Sequence, residues 1–376
     1  MATQQRSPSS TGVSQGMTLA EALSATASHV PDRIALTTPG RRLTYRELDA
    51  EVSRLAVGLR QFGLSQGDSV VLLLPNGWEM LCGLFAVARA GGVAVPVNPA
   101  SKSREVAFVV DDVLPALILA VPRVPGNDLG ACLVELRQAS SSQAELIFAG
   151  PDAPPGTRQL NDVVVAGGEQ TETMSVDAEP DDLAAIFYTT GTTGTPKGVL
   201  HTHEGLVDSF LAMEELYTRF FSGSPAETAK RVATLLWRYR GRLLRGIGPQ
   251  TWTTPLPLHS IAGFRVALHA LLGGHRMVLT ERFHPRGLLE LIERERVNIL
   301  AASPSMVEAM LAIADVQRYD LSSLLVVGLG AAPARPGLVR QARAVLGWAP
   351  TLTFEQIVER MVDADRVSAP QRTQAP

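Results

Sequence analysis

Apolar and polar positions along the chain follow two rhythms. Between residues 44 and 61, Leu48, Val52, Leu55 and Leu59 recur at intervals of three and four. Arg46, Asp49, Glu51 and Arg54 fall between them, which predicts a helix with one buried face. Its start is marked by Thr44 and Glu47, a spacing at which a cap hydroxyl and a returning carboxylate satisfy free N–H groups; Thr18 and Glu21 repeat it. The stretch "SVVLLL", residues 69–74, is apolar without interruption, as strands are where a parallel sheet is covered on both faces. The order then repeats: helix 78–90, strand 93–97, helix 103–111 and strand 116–120.

Residues 121–182 break this regularity. Pro and Gly clusters, "VPRVPGND" and "GPDAPPGT", surround one expected strand, "AELIFAG", and predict long surface connections. From 183 the alternation resumes: a strand, a glycine-rich loop, a short strand "GVLHT", helical stretches over 204–244, and the segment "WTTPLPLHSIAGF". Helix 261–272, strand "RMVLTE", helix 285–296, strand "NILAAS", helix 304–314, strand "LLVVGLG" and helix 334–346 follow. Strands and helices taking turns predict a doubly wound α/β layer, and no internal repeat is visible.

Composition narrows the function classes. The chain has 376 residues, 45% of them hydrophobic, enough for a substantial core, and a formal charge of −3. Its 34 Lys and Arg are scattered among 37 Asp and Glu and form no basic stripe, which argues against a nucleic-acid partner. Two cysteines, Cys82 and Cys132, show no metal or redox spacing and read as packing residues of a reducing, cytoplasmic compartment. The first sixteen residues lack an apolar signal region, and the most apolar stretch, Val70 to Val97, is interrupted by Pro75, Asn76, Glu79 and Arg89. No transmembrane segment is expected.

The candidate chemistry centres on "YTTGTTGTPKGVLHTH", residues 188–203. Closely spaced glycines let backbone N–H groups converge on an anion, threonine hydroxyls add neutral donors, and Lys197 supplies a counter-charge behind the stiff Pro196. A phosphate-loop motif of the GK[ST] kind does not fit, because Lys197 stands between Pro196 and Gly198. A flexible surface turn is the plain alternative. His201 and His203 have no third ligand cluster to make them a metal pair, and "GLGAAP" fails as a dinucleotide fingerprint because Pro333 replaces its third glycine.

The order of these segments resembles the adenylate-forming (AMP-binding) superfamily of acyl-CoA synthetases over residues 17–347. Carrying the resemblance are the loop Thr189–Gly198, the start "H-x-x-L" at His203–Leu206, the stretch from "LTYRELD" to "VAVPVNP", "PLPLHSIAGF", "ERFHPRGLLELIERERVNILAASPSM" and "GLGAAPA". It implies an α/β fold with two parallel-type sheets sandwiched by helices. It also implies ATP-dependent activation of a fatty or aryl carboxylic acid to acyl-adenylate and then to a coenzyme A thioester, with Mg²⁺. By the same resemblance Thr189, Thr190, Gly191, Thr192, Thr193, Gly194 and Lys197 would hold the ATP phosphates. His259 would sit by the carboxylate and the acyl entrance, and Gly330, Ala331, Ala332 and Pro333 would flank the adenine. An isolated histidine after "PLPL" also reads as a structural one.

Beyond Pro333 the pattern lapses. The family's "Y-G-x-T-E" segment with its Mg²⁺ glutamate, the ribose-binding aspartate, the hinge and the lid lysine have no counterpart in "VRQARAVLGWAPTLTFEQIVERMVDADRVSAPQRTQAP". Residues 342–365 instead resemble the C-terminal end of GDP-mannose 4,6-dehydratases, without that family's cofactor loop or catalytic Tyr and Lys. The expected organisation is a disordered tail at 1–16, an AMP-binding domain at 17–347 lacking its lid domain, and an unrelated tail at 348–376 with one amphipathic helix. Two functions stay open: an AMP-forming acid–thiol ligase, or a truncated, inactive fragment that at most binds ATP or an acyl ligand. An uncovered sheet edge is expected to promote self-association.

Overall fold

The computed structural model describes residues 10–139, 143–168, 178–189, 196–221 and 248–346. The elements up to residue 128 are α1 (Leu19–His29), β1 (Ile34–Thr38), β2 (Arg41–Thr44), α2 (Tyr45–Gln61), β3 (Ser69–Leu73), α3 (Trp78–Arg89), β4 (Val93–Pro96), α4 (Ser103–Val113), β5 (Leu117–Ala120), β6 (Arg123–Val124) and β7 (Asn127–Asp128). Next come α5 (Leu129–Ala139), β8 (Glu145–Phe148), β9 (Arg158–Gln159), α6 (Leu160–Ala166), β10 (Leu183–Thr189), β11 (Lys197–Thr202) and α7 (His203–Phe221). The last are β12 (Thr251–Thr253), α8 (Ile261–Leu272), β13 (Arg276–Val278), α9 (Pro285–Glu295), β14 (Ile299–Ala302), α10 (Pro304–Leu311), β15 (Val326–Leu329) and α11 (Pro336–Leu346).

Two large sheets form. One runs β15-β14-β12-β13-β1-β2, the other β11-β10-β4-β3-β5-β8-β9, and both are parallel except at the edge strands β2 and β11. Alternation along the strands sorts side chains into layers. Leu72 and Leu119 of one sheet join Leu36 and Met277 of the other in a core between the sheets, filled by α1, α2, α3, α7 and α8. Val71, Leu73 and Ile118 point the opposite way onto α4 and α5. Val278, Leu300 and Val327 meet α9, α10 and α11 on the outer face of the first sheet. The layers therefore stack helix, sheet, helix, sheet, helix, as the sequence reading expected.

Helix α3 explains the long apolar stretch. Met80 to Arg89 are buried all round, because the helix lies between sheets and not on a surface. Its buried arginine, Arg89, is satisfied by the Asp49 carboxylate, the hydroxyls of Ser24 and Ser53, and the carbonyl oxygens of Asp49 and Ala20. Among the described residues no helix is long and apolar enough to cross a membrane. Both predicted capping boxes close, at Thr18–Glu21 and Thr44–Glu47.

Three expectations are corrected. The tail drawn as disordered to residue 16 is packed from Thr11: its Oγ1 donates to the Leu272 carbonyl at 2.6 Å, and Val13 is fully buried. These partners lie far along the chain, where no local pattern announces them. The region 121–168 is less loop-like than expected, since α5 and α6 form there, and Leu160 and Val163 of α6 join the inter-sheet core. The hairpin of β1 and β2, closed by Pro39 and Gly40 with Gly40 at φ +75°, was not anticipated. Most of the helical stretch expected up to 244 and the tail 348–376 lie outside the described residues.

Candidate functional site at the carboxyl edges of the two sheets

Strand β12 ends in a segment that a few buried polar groups hold in place. Thr254 Oγ1 donates to the Ala301 carbonyl at 2.7 Å and accepts from the Leu256 amide at 3.1 Å. Asn76, buried in the loop after β3 of the other sheet, donates through Nδ2 to the Leu256 carbonyl at 3.0 Å and accepts through Oδ1 from the Leu258 amide at 2.8 Å. One side-chain amide thus stands in for a missing strand neighbour and ties the carboxyl edges of the two sheets together.

His259 follows directly, in a turn that cannot relax. Ser260 Oγ caps α8 by accepting from the Gly263 amide and donates to the Pro257 carbonyl at 2.7 Å. A Cβ at position 263 would lie 2.1 Å from the Pro257 carbonyl oxygen, so only glycine lets the helix close on the turn. His259 is half-buried, and burial pulls its imidazole pKa down to about 4. Near neutral pH it is an uncharged ring, able to donate or accept one hydrogen bond without repelling a cation or attracting an anion by charge.

The glycine–threonine loop springs from a braced stem. Strands β10 and β11 are antiparallel and place Thr189 opposite Lys197, both exposed, with Thr189 Oγ1 3.4 Å from the Lys197 carbonyl oxygen. Phe187 stacks on Phe264 in the first turn of α8 at 5.6 Å. On the opposite face Tyr188 donates to Asp112 and meets Phe108 edge-on at 6.5 Å. Thr190, Gly191, Thr192, Thr193 and Gly194 lie outside the described residues. Phe264 connects this stem to the His259 turn, because the same helix begins at Ser260.

Gly330, Ala331, Ala332 and Pro333 follow β15 and are all exposed. One backbone bond, from the Gly330 amide to the Ala302 carbonyl at 3.1 Å, fixes their start, and Ala331 takes the left-handed conformation at φ +65°. The chain leaves β12 through α8 on the inner face to reach β13, then passes back through α9 on the outer face to reach β14 on the other side of β12. In open α/β sheets the crevice at the carboxyl ends of the strands flanking such a reversal, here β12 and β14, is the place where ligands are taken up. The His259 turn borders it from β12, and the Gly330–Pro333 loop lies one strand beyond β14.

His203 and His201 make packing and capping contacts. His203 is buried and accepts the Leu19 amide at the start of α1 through Nδ1 at 3.2 Å, while His201 meets Phe187 edge-on at 5.5 Å. Among the described residues no group of three or more His, Cys, Asp or Glu is placed to hold a metal ion. Cys82 is buried, and burial pushes its thiol far up, as expected of a packing residue. The sequence reading did not single out Asn76, Thr254, Ser260 or Gly263, all of which shape the site. Of these only Ser260, three residues before Gly263 at a helix start, carried a local signal.

The family model described as AMP-binding enzyme matches residues 23–355. The chain is 29% identical over 307 residues to the long-chain-fatty-acid–CoA ligase FadD13 of Mycobacterium tuberculosis, covering 80% of this chain and 52% of that protein. It is 28% identical over 295 residues to 4-coumarate–CoA ligase CCL1 of Humulus lupulus, covering 78% of this chain and 48% of that one. The inhibitor-bound N-terminal domain of FACL13 from M. tuberculosis superposes with a TM-score of 0.69 at 24% identity, over 87% of this chain and 73% of that chain, a likeness of fold. The chain spans about half the length of the curated relatives it matches.

Proposed function

The chain belongs to the AMP-binding enzyme family, and from that premise we propose that it serves AMP-forming acid–thiol ligation of a fatty or aryl carboxylic acid. In this reaction a carboxylate oxygen attacks the α-phosphorus of ATP and pyrophosphate departs; the thiol of coenzyme A then attacks the acyl carbon and AMP departs. The observation that carries the reading is convergence. The stem of the glycine–threonine loop and the His259 turn, singled out separately in the sequence, are joined through Phe187 and Phe264 beside the crevice after β12.

In this reading Thr189 to Gly194 and Lys197 hold the β- and γ-phosphates, and Gly330 to Pro333 flank the adenine. The neutral His259 orients the carboxylate. A preset site of this kind acts by positioning and by matching the charge that develops at phosphorus. Mg²⁺ would enter chiefly on the substrate phosphates; the described residues offer no ligand cluster for it. The names of the relatives support a fatty or aryl acid, and a cytoplasmic location is part of the same proposal. The dehydratase-like stretch 342–365 begins at Ala342, which is buried against α10 and lies within the family match, so this reading treats its start as part of the same domain.

ATP–pyrophosphate exchange with a panel of fatty and aromatic acids tests the proposal. Exchange above background that Lys197→Ala lowers by about 10²-fold supports it. Absence of exchange with every acid, with ATP binding retained in calorimetry, favours the alternative of a chain that binds ATP or an acyl group without turning it over.

A further inference from the structure

A second cleft, of about 550 Å³, lies on the first sheet beside β13 and β1, on the far side of β13 from β12. It is bounded by the Pro39–Gly40 turn and by the carboxyl end of α9. Nothing in the proposed ligase reaction uses it. Arg41, Arg42 and Arg294 line it, with Thr37 on the face of β1 that carries Arg42 and Thr38 on the face that carries Arg41.

The charges there do not cancel. Glu295, with a side chain only 7% exposed, faces three guanidiniums: Arg42 at 3.0 Å, Arg294 at 3.1 Å, and Arg276. Burial alone would raise this carboxyl, but the three arginines outweigh it and hold it below its ordinary value. Glu51 is shared in the same way by Arg41, at 2.9 Å, and Arg54. Glu79, which also feels Arg41, is moved by burial toward its protonated form. Arg41 is further fixed by the Trp78 ring, 4.0 Å beneath its guanidinium. A cation held this firmly loses little freedom on meeting a ligand.

The hydroxyls make an independent point. Thr37 and Thr38 are 7% and 8% exposed, and among the described residues neither Oγ1 has a hydrogen-bond partner. Leaving a buried hydroxyl unpaired is destabilising. Alternation along β1 puts Thr37 on the face that carries Arg42, so its unpaired hydroxyl adds a neutral donor beside the guanidiniums of Arg42 and Arg294, and the forked guanidinium matches phosphate in particular. The volume lies within the range of sites for small molecules of nucleotide size.

We propose that this cleft binds a phosphate-bearing small molecule, gripped by Arg42 and Arg294 with the Thr37 hydroxyl beside them. The inference stands apart from the ligase reading and survives its failure. The probe is inorganic pyrophosphate, titrated calorimetrically into the full chain carrying Lys197→Ala, so that the glycine–threonine loop does not contribute. Arg42 and Arg294 are 59% and 65% exposed, and Glu295 keeps Arg276, so the double variant R42Q/R294Q retains a paired carboxylate. We expect it to weaken pyrophosphate binding at least tenfold. Thr37→Val keeps the shape of the strand and is expected to weaken binding severalfold while leaving the melting temperature unchanged or higher. Hydrogen exchange should show pyrophosphate protecting residues 37–42. Binding unchanged by both variants, no measurable binding in the Lys197→Ala background, or protection confined to other segments would overturn the proposal.

Discussion

The His259 turn and the Gly330–Pro333 loop lie along the same edge of one sheet and are built in opposite ways. The turn is gripped by buried polar groups: Asn76 reaches it from the other sheet, Ser260 closes it, and Gly263 lets a helix seat against it. The loop is exposed along its length and starts from a single backbone bond. A segment held by long-range contacts can fix the position of a reacting group, whereas an exposed loop can adjust to the molecule that lands on it. Within the proposed function the first would orient the reacting group and the second would accommodate the ligand.

Substitutions should separate the two. The largest effect is expected from Gly263→Val, which drives side-chain atoms into the Pro257 carbonyl; urea denaturation should show a loss of about 3 kcal/mol or more. Asn76→Ala leaves the Leu256 carbonyl and the Leu258 amide without their partner and should cost about 2 kcal/mol in the same assay. An effect below about 0.5 kcal/mol for either would show that the turn is not held as described.

Acidity provides a third, smaller test. His259 titrates near 4 when folded and near 6.5 when unfolded, so the unfolded chain binds the extra proton first. Its contribution to stability is complete above about pH 6.5, declines as pH falls toward 4, and does not change further below that. His269 and His275, also pulled down to about 4 by burial, act in the same direction. His259→Asn should therefore flatten the stability profile between pH 4 and 6.5 by on the order of 1 kcal/mol, leaving the share of the other two. Ala331→Gly should have the smallest effect. It relieves a left-handed backbone in an exposed loop, and a change within about 0.5 kcal/mol is expected. A large loss there would erase the contrast.

The edge strand β11 offers a side prediction. It exposes Val199 and Leu200, the kind of uncovered edge that favours pairing between copies. Sedimentation should show concentration-dependent association that Leu200→Lys suppresses; a monomer at all concentrations would refute this.

What was legible in the sequence depended on the distance between partners. The Thr18 and Thr44 caps and helix α8 at Ile261–Leu272 were readable because cap and carboxylate stand three residues apart and apolar spacing is local. Uninterrupted strands such as Ser69–Leu73 announced a doubly wound α/β layer, and the stack of two sheets was implied by the family resemblance. Asn76 was not readable as a clamp, since its partners lie about 180 residues away. Thr11 was missed for the same reason, its acceptor Leu272 being 261 residues distant. The β1–β2 hairpin did carry a local sign, Pro39–Gly40 between short β-rich runs, which the helical signal beginning at Thr44 overshadowed. For the candidate site, the family resemblance pointed to His259, to Thr189 and Lys197 at the ends of the glycine–threonine loop, and to Gly330–Pro333, and the roles given them are proposals. The supporting contacts that distinguish turn from loop required the fold.

The most direct test of the account is hydrogen exchange of the full chain with and without ATP. The account predicts that ATP slows exchange at residues 256–260, at Lys197–Gly198 and at 330–332, on the edges of both sheets. ATP binding that leaves all three segments unprotected would contradict the claim that they form one site.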